Sequence, residues 1–473
     1  MIVLTYFILS VFVIAGILVN RHRGIITGLM ILFLGGQIML TANAFRAIGS
    51  IQFGYFYIDA LGLIFLTLLT VLSCTTVFHG LYNLRPDSTR RFQYYHAALA
   101  GLIASITAAM LASNITVTWV FVEATTLTAS VLIYHEKNKL TLEAAWKYVF
   151  VCSTGIAIAY MGILFLGMAI QGKGSFDMSF EMMSRIVHTA NPLYLKIAFL
   201  FVLVGYSTKM ELFPMHTAGV DANSVAHPQI GAFISTAMVN LGFVAFFRVF
   251  KMFHHTSILP WMNNVLMLTG VLSVMVAAGY MLKARHTKRM LAYSTLEVMG
   301  IMAIALGVGG VGYYAAILIL VVHSLTKSAM FYQLSQMFRT FHTYMLKEVG
   351  NYFHVNPAGA LVLLLGMIGI LAIPPSGLFW PEYLVFSALV AKGYWLVMLL
   401  TIFFLCFLVY GMATRMLHIF YSSPLEQHHE IKAVRPQPAE IVVQLLMLLT
   451  GMMLCFYQPE FLKNLITVAI LTP

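Results

Sequence analysis

Apolar stretches long enough to cross a lipid bilayer follow one another through almost the whole chain. A spanning helix needs about 20 consecutive apolar residues. Stretches of this kind recur fourteen times, at 1–19, 25–44, 56–82, 94–113, 115–134, 145–170, 193–213, 228–250, 258–282, 290–310, 312–338, 357–391, 394–421 and 440–458. Lipid offers the backbone no hydrogen-bond partner, so such spans are helices, whereas barrel strands are shorter and alternate in polarity. The sequence therefore predicts an all-α polytopic membrane protein with about 14 transmembrane helices.

Composition excludes the soluble alternative. A soluble chain of 473 residues would form about three domains, but only 9% of these residues are charged and the mean hydropathy is +0.89. An ordinary globular protein is about a quarter charged. The first apolar stretch lacks a basic segment in front of it, and Arg21 and Arg23 follow it. We therefore expect no cleavable signal peptide.

Cysteine and histidine spacing argues against metal or cofactor sites. The four cysteines are Cys74, Cys152, Cys406 and Cys455. They lie far apart in apolar stretches with no CxxC spacing, which argues against an Fe–S cluster, structural zinc or a disulfide framework. The pairs His254–His255 and His428–His429 lie in predicted loops without acidic or cysteine ligands beside them. We expect no metal and no cofactor.

The net charge of +11 is explained by membrane topology. The loops after odd-numbered spans hold 17 of the 27 Lys and Arg residues, and the other loops hold 8. The 17 are Arg21, Arg23, Arg85, Arg90, Arg91, Lys137, Lys139, Lys147, Lys283, Arg285, Lys288, Arg289, Arg339, Lys347, Arg415, Lys432 and Arg435. The 8 are Arg46, Lys173, Arg185, Lys196, Arg248, Lys251, Lys392 and Lys463. Basic loops face the cytoplasm, so both termini are predicted on the outer face of a bacterial or archaeal cytoplasmic membrane. No compact basic domain suggests nucleic-acid binding.

Five ionisable residues fall inside or at the edge of predicted spans. They are Glu123, Lys209, Glu297, Lys327 and Glu382. A charge at membrane depth is expensive and usually faces a partner or a wet cavity. An inert ion pair is the simpler explanation for one such residue, but five on separate helices favour an ion path.

Two spans are interrupted at proline. The seventh breaks at 209–214, and a polar stretch with His216, Asp221, Asn223 and His227 follows. The twelfth breaks at 373–377, shortly before Glu382. Proline removes a backbone donor and ends the helix, and matched interruptions in two halves are typical of inverted-repeat transporters.

The two breaks are five spans apart, as are Glu123 and Glu297, which predicts two inverted repeats. The predicted units are 1–93 with the first three spans, 94–252 as the first repeat (spans 4–8), 253–421 as the second (spans 9–13) and 422–473 with a loop and the last span. His323 lies four residues before Lys327, on the same helical face. Because imidazole titrates near neutral pH, His216, His227 and His323 are candidate proton carriers.

Several strings resemble the Mrp-antiporter-like, proton-translocating membrane subunits, which include the antiporter-like subunits of complex I. These strings are Phe121–Leu127, Gly205–Lys209, Pro214–Thr217 with Asp221, Leu291–Gly300, His323–Ser328, and Pro374–Phe379 with Glu382. Together they cover roughly residues 55–420. Leu142–Tyr148 and His323–Ser328 look most like hydrogenase-4 component F and its relatives in group 4 membrane-bound hydrogenase and formate hydrogenlyase complexes.

The resemblance implies a proton-translocating subunit with no catalytic or redox centre of its own. Glu123 and Lys209 would form a charge pair controlling one half-channel, Lys327 would carry a proton at the centre, and Glu382 would lead to the exit. The partners would be other membrane subunits of a multi-subunit redox or antiporter complex, within the lipid bilayer. The alternatives are an Mrp-type cation/proton antiporter subunit, an energy-coupling subunit for inorganic-carbon uptake beside a soluble zinc protein, and a non-conducting scaffold.

Three departures from the family pattern fall in the N-terminal half. Asn240 stands where many relatives have lysine, and Ala218–Asn223 replaces a Trp-Leu-Pro-Asp-Ala-His stretch. Glu211, two residues after Lys209, is an addition. Asparagine can hold a water molecule but carries no charge, so a first half that does not conduct protons is an alternative.

Overall fold

Nearly every described residue is helical in the computed structural model, which describes residues 2–83, 88–170, 178–424 and 437–472. Arg85, Lys173, His428, His429, Lys432 and Arg435 lie outside these ranges. The helices are α1 (Ile2–Val19), α2 (Arg23–Arg46), α3 (Ala60–Asn83), α4 (Thr89–Leu111), α5 (Ile115–Ile133), α6 (Lys139–Ala169), α7 (Phe180–Ile186), α8 (Pro192–Met210), α9 (Thr217–Val225), α10 (Pro228–Phe233), α11 (Val239–Met252), α12 (Leu259–Met281), α13 (Thr287–Val308), α14 (Val311–Phe341), α15 (Tyr352–Val355), α16 (Pro357–Ile370), α17 (Phe379–Ala391), α18 (Trp395–Tyr421), α19 (Pro438–Phe456) and α20 (Glu460–Leu471).

Shorter elements connect the helices. Three 3₁₀ turns lie at Tyr134–Glu136, Val187–Thr189 and Leu346–Glu348. A π-helical turn, Ile234–Met238, joins α10 to α11, so that Pro228–Met252 forms one span. The strands β1 (Ile51–Gln52) and β2 (Phe56–Tyr57) pair antiparallel in the α2–α3 connection.

The predicted all-α membrane fold is confirmed. In the described ranges, 13 helices are long and apolar enough to cross a membrane. The remaining predicted span, 357–391, is present as the two shorter apolar helices α16 and α17. The sequence did not predict the short helices α7, α9, α15 and α20 or the small hairpin, because each is too short to give a spanning pattern.

The two helix breaks are confirmed. After α8, Glu211 takes a left-handed conformation with φ +54°. The backbone N–H of Leu212 then bonds to Ser207 O at 3.1 Å, and that of Met215 bonds to Leu212 O at 2.9 Å. Proline follows as Pro214, preceded by a cis peptide bond.

The second break repeats this backbone. Ala372 has φ +50°, and Pro374–Pro375 is cis. The backbone N–H of Ile373 bonds to Ile368 O at 3.1 Å and that of Ser376 to Ile373 O at 2.8 Å. The hydrogen bonds, the left-handed residue and the cis proline have the same spacing along the chain in both breaks, so the two turns share one backbone structure. The boundaries of the two five-span repeats stay a prediction.

Close helix contacts hold the helices that carry charged residues. A Cβ atom on Gly205 of α8 would lie 2.6 Å from Gly155 O of α6, and one on Gly270 of α12 would lie 2.5 Å from Gly300 O of α13. Side chains are therefore excluded at both crossings, as is common where membrane helices pack closely. The Pro228–Met252 span and α13 are buried along their apolar length, whereas α1 and α18 expose most of theirs.

Several residues counted above as loop charges are buried within helices. Arg248 of α11 donates to Asp59 Oδ1 at 2.7 Å, to Met110 O at 2.6 Å and to Ala112 O at 3.0 Å. Arg248 thus fastens α11 to the end of α4 and the start of α3. Arg248 is therefore a buried, ion-paired residue of α11 and not a loop residue, which its sequence did not indicate because Asp59 is distant in the chain.

Lys251 and Lys288 are the other members of that count that are buried in the described part of the chain. Lys251 Nζ donates to Ala469 O at 3.0 Å and to Thr472 O at 2.8 Å, at the C-terminal end of α20. A cation is favourable where helix carbonyls are unpaired, so this lysine docks α20 against the bundle.

Candidate functional site

A hydroxyl group connects the two charged residues predicted as a pair in the N-terminal half. Glu123 of α5 accepts from Ser153 Oγ at 2.5 Å and from Thr126 Oγ1 at 3.4 Å. Lys209 Nζ, at the end of α8, donates to Thr126 Oγ1 at 2.9 Å. Among the described residues, no ion pair within 4.0 Å joins Lys209 to an acidic group. The interaction of Glu123 with Lys209 is therefore bridged by Thr126.

Local structure fixes this geometry. Glu123 and Thr126 are three residues apart on α5 and so share one helix face. Asn114 caps α5 by accepting from Thr116 N at 2.8 Å, which sets the register of that face. Lys209 Nζ lies 5.3 Å from the ring centre of Tyr148, so the aromatic face adds a cation–π contact.

Glu211, two residues after Lys209, is buried in the left-handed position of the first break. Asn223 Nδ2 donates to Glu211 Oε1 at 3.1 Å, and Oε2 has no hydrogen-bond partner among the described residues. A Cβ atom on Gly219 would lie 2.6 Å from Glu211 Cγ. Gly219 thus makes room for the glutamate and Asn223 binds it, so two of the departures from the family pattern belong together.

Lys327 is fully buried in the middle of α14. Its Nζ donates to Leu291 O at 2.7 Å and to Ser294 Oγ at 2.5 Å, both on α13. Glu297 lies three residues after Ser294 on α13, on the same side of the helix, and is also buried. The carboxyl groups of Glu297 and Glu211 interact electrostatically with Lys327. The central lysine therefore connects the first break electrostatically to α13.

Glu382 extends this set on the far side. It lies in the first turn of α17 and is buried, and its Oε1 atom has no hydrogen-bond partner in the described part of the chain. Glu382 interacts electrostatically with Glu297. Glu297 Oε2 also has no hydrogen-bond partner among the described residues. Buried polar atoms without a protein partner are where ordered water typically bonds.

Polar groups of α14 face the π-helical turn. His323 Nε2 is 3.4 Å from Ser235 O, and Ser235 Oγ is 2.6 Å from Thr295 Oγ1. Asn240 Nδ2 donates to Ser324 Oγ at 2.9 Å. His323 and Lys327 share a face of α14, as the spacing predicted. The π turn, a feature frequent at functional sites, was not visible in the sequence.

The remaining three predicted site residues lie apart from this central set. Asp221 is partly exposed, 3.2 Å from Arg289 Nη2 and 3.8 Å from Lys147 Nζ. His227 Nε2 is 2.6 Å from Glu136 Oε1. His216 immediately precedes α9, and its ring stacks on Phe213 with the ring centres 6.3 Å apart. Asp221 and His227 thus belong to the end of the bundle where α9 meets α10.

Sequence reasoning missed two members of that end. Glu136 was part of an ordinary polar loop in the sequence, and Lys288 was one of the loop charges. Lys288 Nζ donates to Ala226 O at 2.8 Å and lies 4.3 Å from the ring centre of Tyr344. In the described ranges, no three His, Cys, Asp or Glu side chains are placed to hold a metal ion.

The fold and the buried Glu and Lys residues define an antiporter-like membrane subunit. Residues 112–408 match the family model described as NADH:quinone oxidoreductase/Mrp antiporter, TM. The chain belongs to this family, and the predicted resemblance is confirmed.

Curated relatives carry the names of membrane complex subunits. The chain is 29% identical over 352 residues to a Hydrogenase-4 component F homolog of Methylacidiphilum infernorum, covering 72% of this chain and 73% of that protein. It is 26% identical over 338 residues to Hydrogenase-4 component B of Escherichia coli, covering 67% of this chain and 49% of the relative. The chain thus spans about half the length of component B.

Solved structures share the fold over 99% of this chain. A chain of the membrane-bound sulfane sulfur reductase, an archaeal respiratory membrane complex, has a TM-score of 0.86 at 20% identity, with 96% of that chain covered. A chain of the Mrp complex from Dietzia sp. has a TM-score of 0.85 at 15% identity, with 96% covered. A chain of respiratory complex I from Thermus thermophilus has a TM-score of 0.78 at 19% identity, with 99% covered.

Proposed function

We propose that this chain moves protons across the membrane through its buried ionisable residues. The observation that carries the proposal is the order of acidic and basic groups from α5 to α17. That order is the half-buried Glu123, followed by the buried Lys209, Glu211, Lys327, Glu297 and Glu382. Among the described residues, none of the six makes an ion pair within 4.0 Å. Groups that are held apart by hydroxyls or by water can exchange protons, whereas a tight pair would fix them.

The path begins at Glu123 and Lys209. A change in field from a neighbouring subunit that separates Lys209 from Glu123 disfavours the ammonium form, because the nearby carboxylate stabilises it. Glu211, two residues on, receives the proton and passes it toward Lys327. Glu297 and Glu382 then lead it beyond the second break. The energy would come from a redox partner, because every group in the proposed path carries protons rather than electrons.

The partner we propose is the redox part of a complex of the group 4 hydrogenase type. The name of the component F relative supports this choice. The membrane would be the cytoplasmic membrane of a bacterium or archaeon, with both termini on the outer face. This orientation rests on the basic loops after odd-numbered spans.

The test is Lys327→Ala in the assembled complex in sealed vesicles. The number of protons pumped per electron should fall, because the central carrier is missing. Lys392→Ala is the matched control, since Lys392 Nζ also donates to a backbone carbonyl, Val308 O at 2.5 Å, but lies outside the path. Unchanged pumping by Lys327→Ala contradicts the proposal. Sodium-driven proton movement without redox substrate would instead indicate an Mrp-type exchanger.

A further inference from the structure

A second line of buried polar residues runs along α14 from the central lysine to the end of that helix. Ser328, Tyr332, Gln336 and Arg339 recur every three or four residues, so they share one face of α14. At 1.5 Å per residue, this stripe rises about 16 Å, roughly half of a 30 Å hydrocarbon layer. It therefore reaches from membrane depth to the surface, on the side of the basic loops.

Tyr332 is the midpoint of the stripe. Its hydroxyl lies 2.9 Å from Thr76 Oγ1 and 3.1 Å from Thr75 Oγ1 of α3. Its ring stacks on His79 of α3, with centres 4.1 Å apart and planes 13° from parallel. Tyr332, one turn after Ser328 on α14, thus lies between the part of that helix next to Lys327 and a buried histidine.

His79 is placed to take and release a proton. Its Nδ1 is 2.8 Å from Thr75 O, and its Nε2 is 3.3 Å from Gln444 Nε2 of α19. A neutral ring with its proton on Nδ1 donates to Thr75 and accepts from the Gln444 amide. A protonated ring donates from Nε2 as well, and rotation of the amide presents Gln444 Oε1 to it.

The fully buried Gln444 supports this reading, since its Oε1 atom has no hydrogen-bond partner in the described residues. Neither amide atom of the buried Gln336 has one either. Gln229 Nε2, from α10, lies 3.4 Å from His79 O and 3.3 Å from Ser335 Oγ. Polar side chains of α3, α10, α14 and α19 thus lie together around His79.

A charged pair stands where this line meets the surface. Glu440, one turn before Gln444 on α19, is fully buried and ion-paired with Arg339. The Arg339 side chain is 27% exposed. The carboxylate is therefore connected to water through its partner and to His79 through α19.

We propose that these residues form a proton-uptake path to Lys327, separate from the Glu123–Lys209 half. Protons enter at Arg339–Glu440 and move along water that the unpartnered amide atoms of Gln444 and Gln336 would hold. His79 takes up and releases a proton at Nε2, and the Tyr332 hydroxyl leads toward the part of α14 next to Lys327. This inference rests on the proposed function, because it gives Lys327 a second source of protons beside the one that reaches it from Glu211. Neither residues 94–252 nor the two helix breaks contribute any of these groups apart from the supporting amide of Gln229.

The experiment compares Tyr332→Phe and His79→Phe in sealed vesicles of the assembled complex. Tyr332→Phe removes one oxygen atom, and His79→Phe keeps a ring to stack on Tyr332. Proton uptake should slow by about a hundredfold in His79→Phe, the lower end of what a positioned proton carrier contributes, and by about tenfold in Tyr332→Phe, which keeps His79 in place. Redox turnover measured with an uncoupler should persist.

Two variants control for lost buried hydrogen bonds. Tyr352→Phe removes a hydroxyl that accepts from Gln333 Nε2 at 2.7 Å, and Thr70→Val removes one that lies 2.7 Å from Thr41 Oγ1. Both are buried outside the path and should pump normally. Lys327→Ala is run beside them. If Lys327→Ala stops pumping while Tyr332→Phe and His79→Phe pump normally, the uptake path is wrong and the proposed function stands. If Lys327→Ala pumps normally, the proposed function itself fails.

Discussion

Replacing Glu123 with glutamine should move the pH range in which the complex pumps. The two bonds through Thr126 are 2.9 and 3.4 Å long, and no direct pair within 4.0 Å exists between the described charges. Lys209 Nζ and the carboxylate are therefore about 6 Å apart at most. At an effective dielectric constant of about 20, unit charges about 6 Å apart attract by about 3 kcal/mol, equivalent to about two pH units.

The sign follows from the charges. The Glu123 carboxylate stabilises the ammonium form of Lys209, so Glu123→Gln releases that proton at lower pH. If pumping needs a protonated Lys209, its alkaline limb should shift down by about two pH units. The assay is protons pumped per electron in sealed vesicles across a pH series.

Glu123→Asp is the control, because it keeps the charge while shortening the side chain. Its alkaline limb should stay close to that of the unmodified protein. Ser153→Ala removes only the 2.5 Å bond to the carboxylate and should also leave the limb in place. An unmoved limb in Glu123→Gln would refute the assignment of this charge interaction.

Two further predictions concern stability. Arg248→Met should destabilise the protein by about 3–5 kcal/mol, because it leaves the buried Asp59 charge unpaired; thermal unfolding in detergent measures this, and an unchanged midpoint would contradict it. Burial, with Lys288 and Arg289 nearby, lowers the pKa of His286 to about 3, so the folded protein should lose about 2 kcal/mol between neutral pH and pH 5 as the unfolded chain takes up a proton. His286→Gln should remove that part of the acid sensitivity in unfolding curves recorded from pH 7 to about 4, and identical curves would show that His286 does not contribute.

The sequence was most informative where the signal is local. Span length follows from runs of apolar residues, and the breaks follow from Pro214 and Pro375, so both were predicted within a few residues. Glu123, Lys209, Lys327 and Glu382 stood out because charge inside an apolar stretch is visible in one dimension.

What could not be predicted depends on contacts between distant segments. Arg248 and Asp59 are 189 residues apart, and nothing near either one indicates the other. Thr126 is one of many threonines in the predicted helices, and nothing near it in the sequence indicates its hydrogen bond with Lys209. The polar face of α14 was hidden because Tyr332 and Gln336 fall within a span whose mean hydropathy is high.

The repeated turn after α8 and α16 bears on how the two halves diverged. Both left-handed positions hold a residue other than glycine, although glycine adopts that conformation without steric penalty. At Ala372 the side chain adds only a methyl group, whereas at Glu211 the same backbone delivers a carboxylate to the core. Placing alanine at position 211, as at Ala372 in the second turn, would keep the backbone hydrogen bonds of the first turn and remove its carboxylate. Architecture and conduction are therefore encoded by different atoms here, so either can change in evolution while the other is kept.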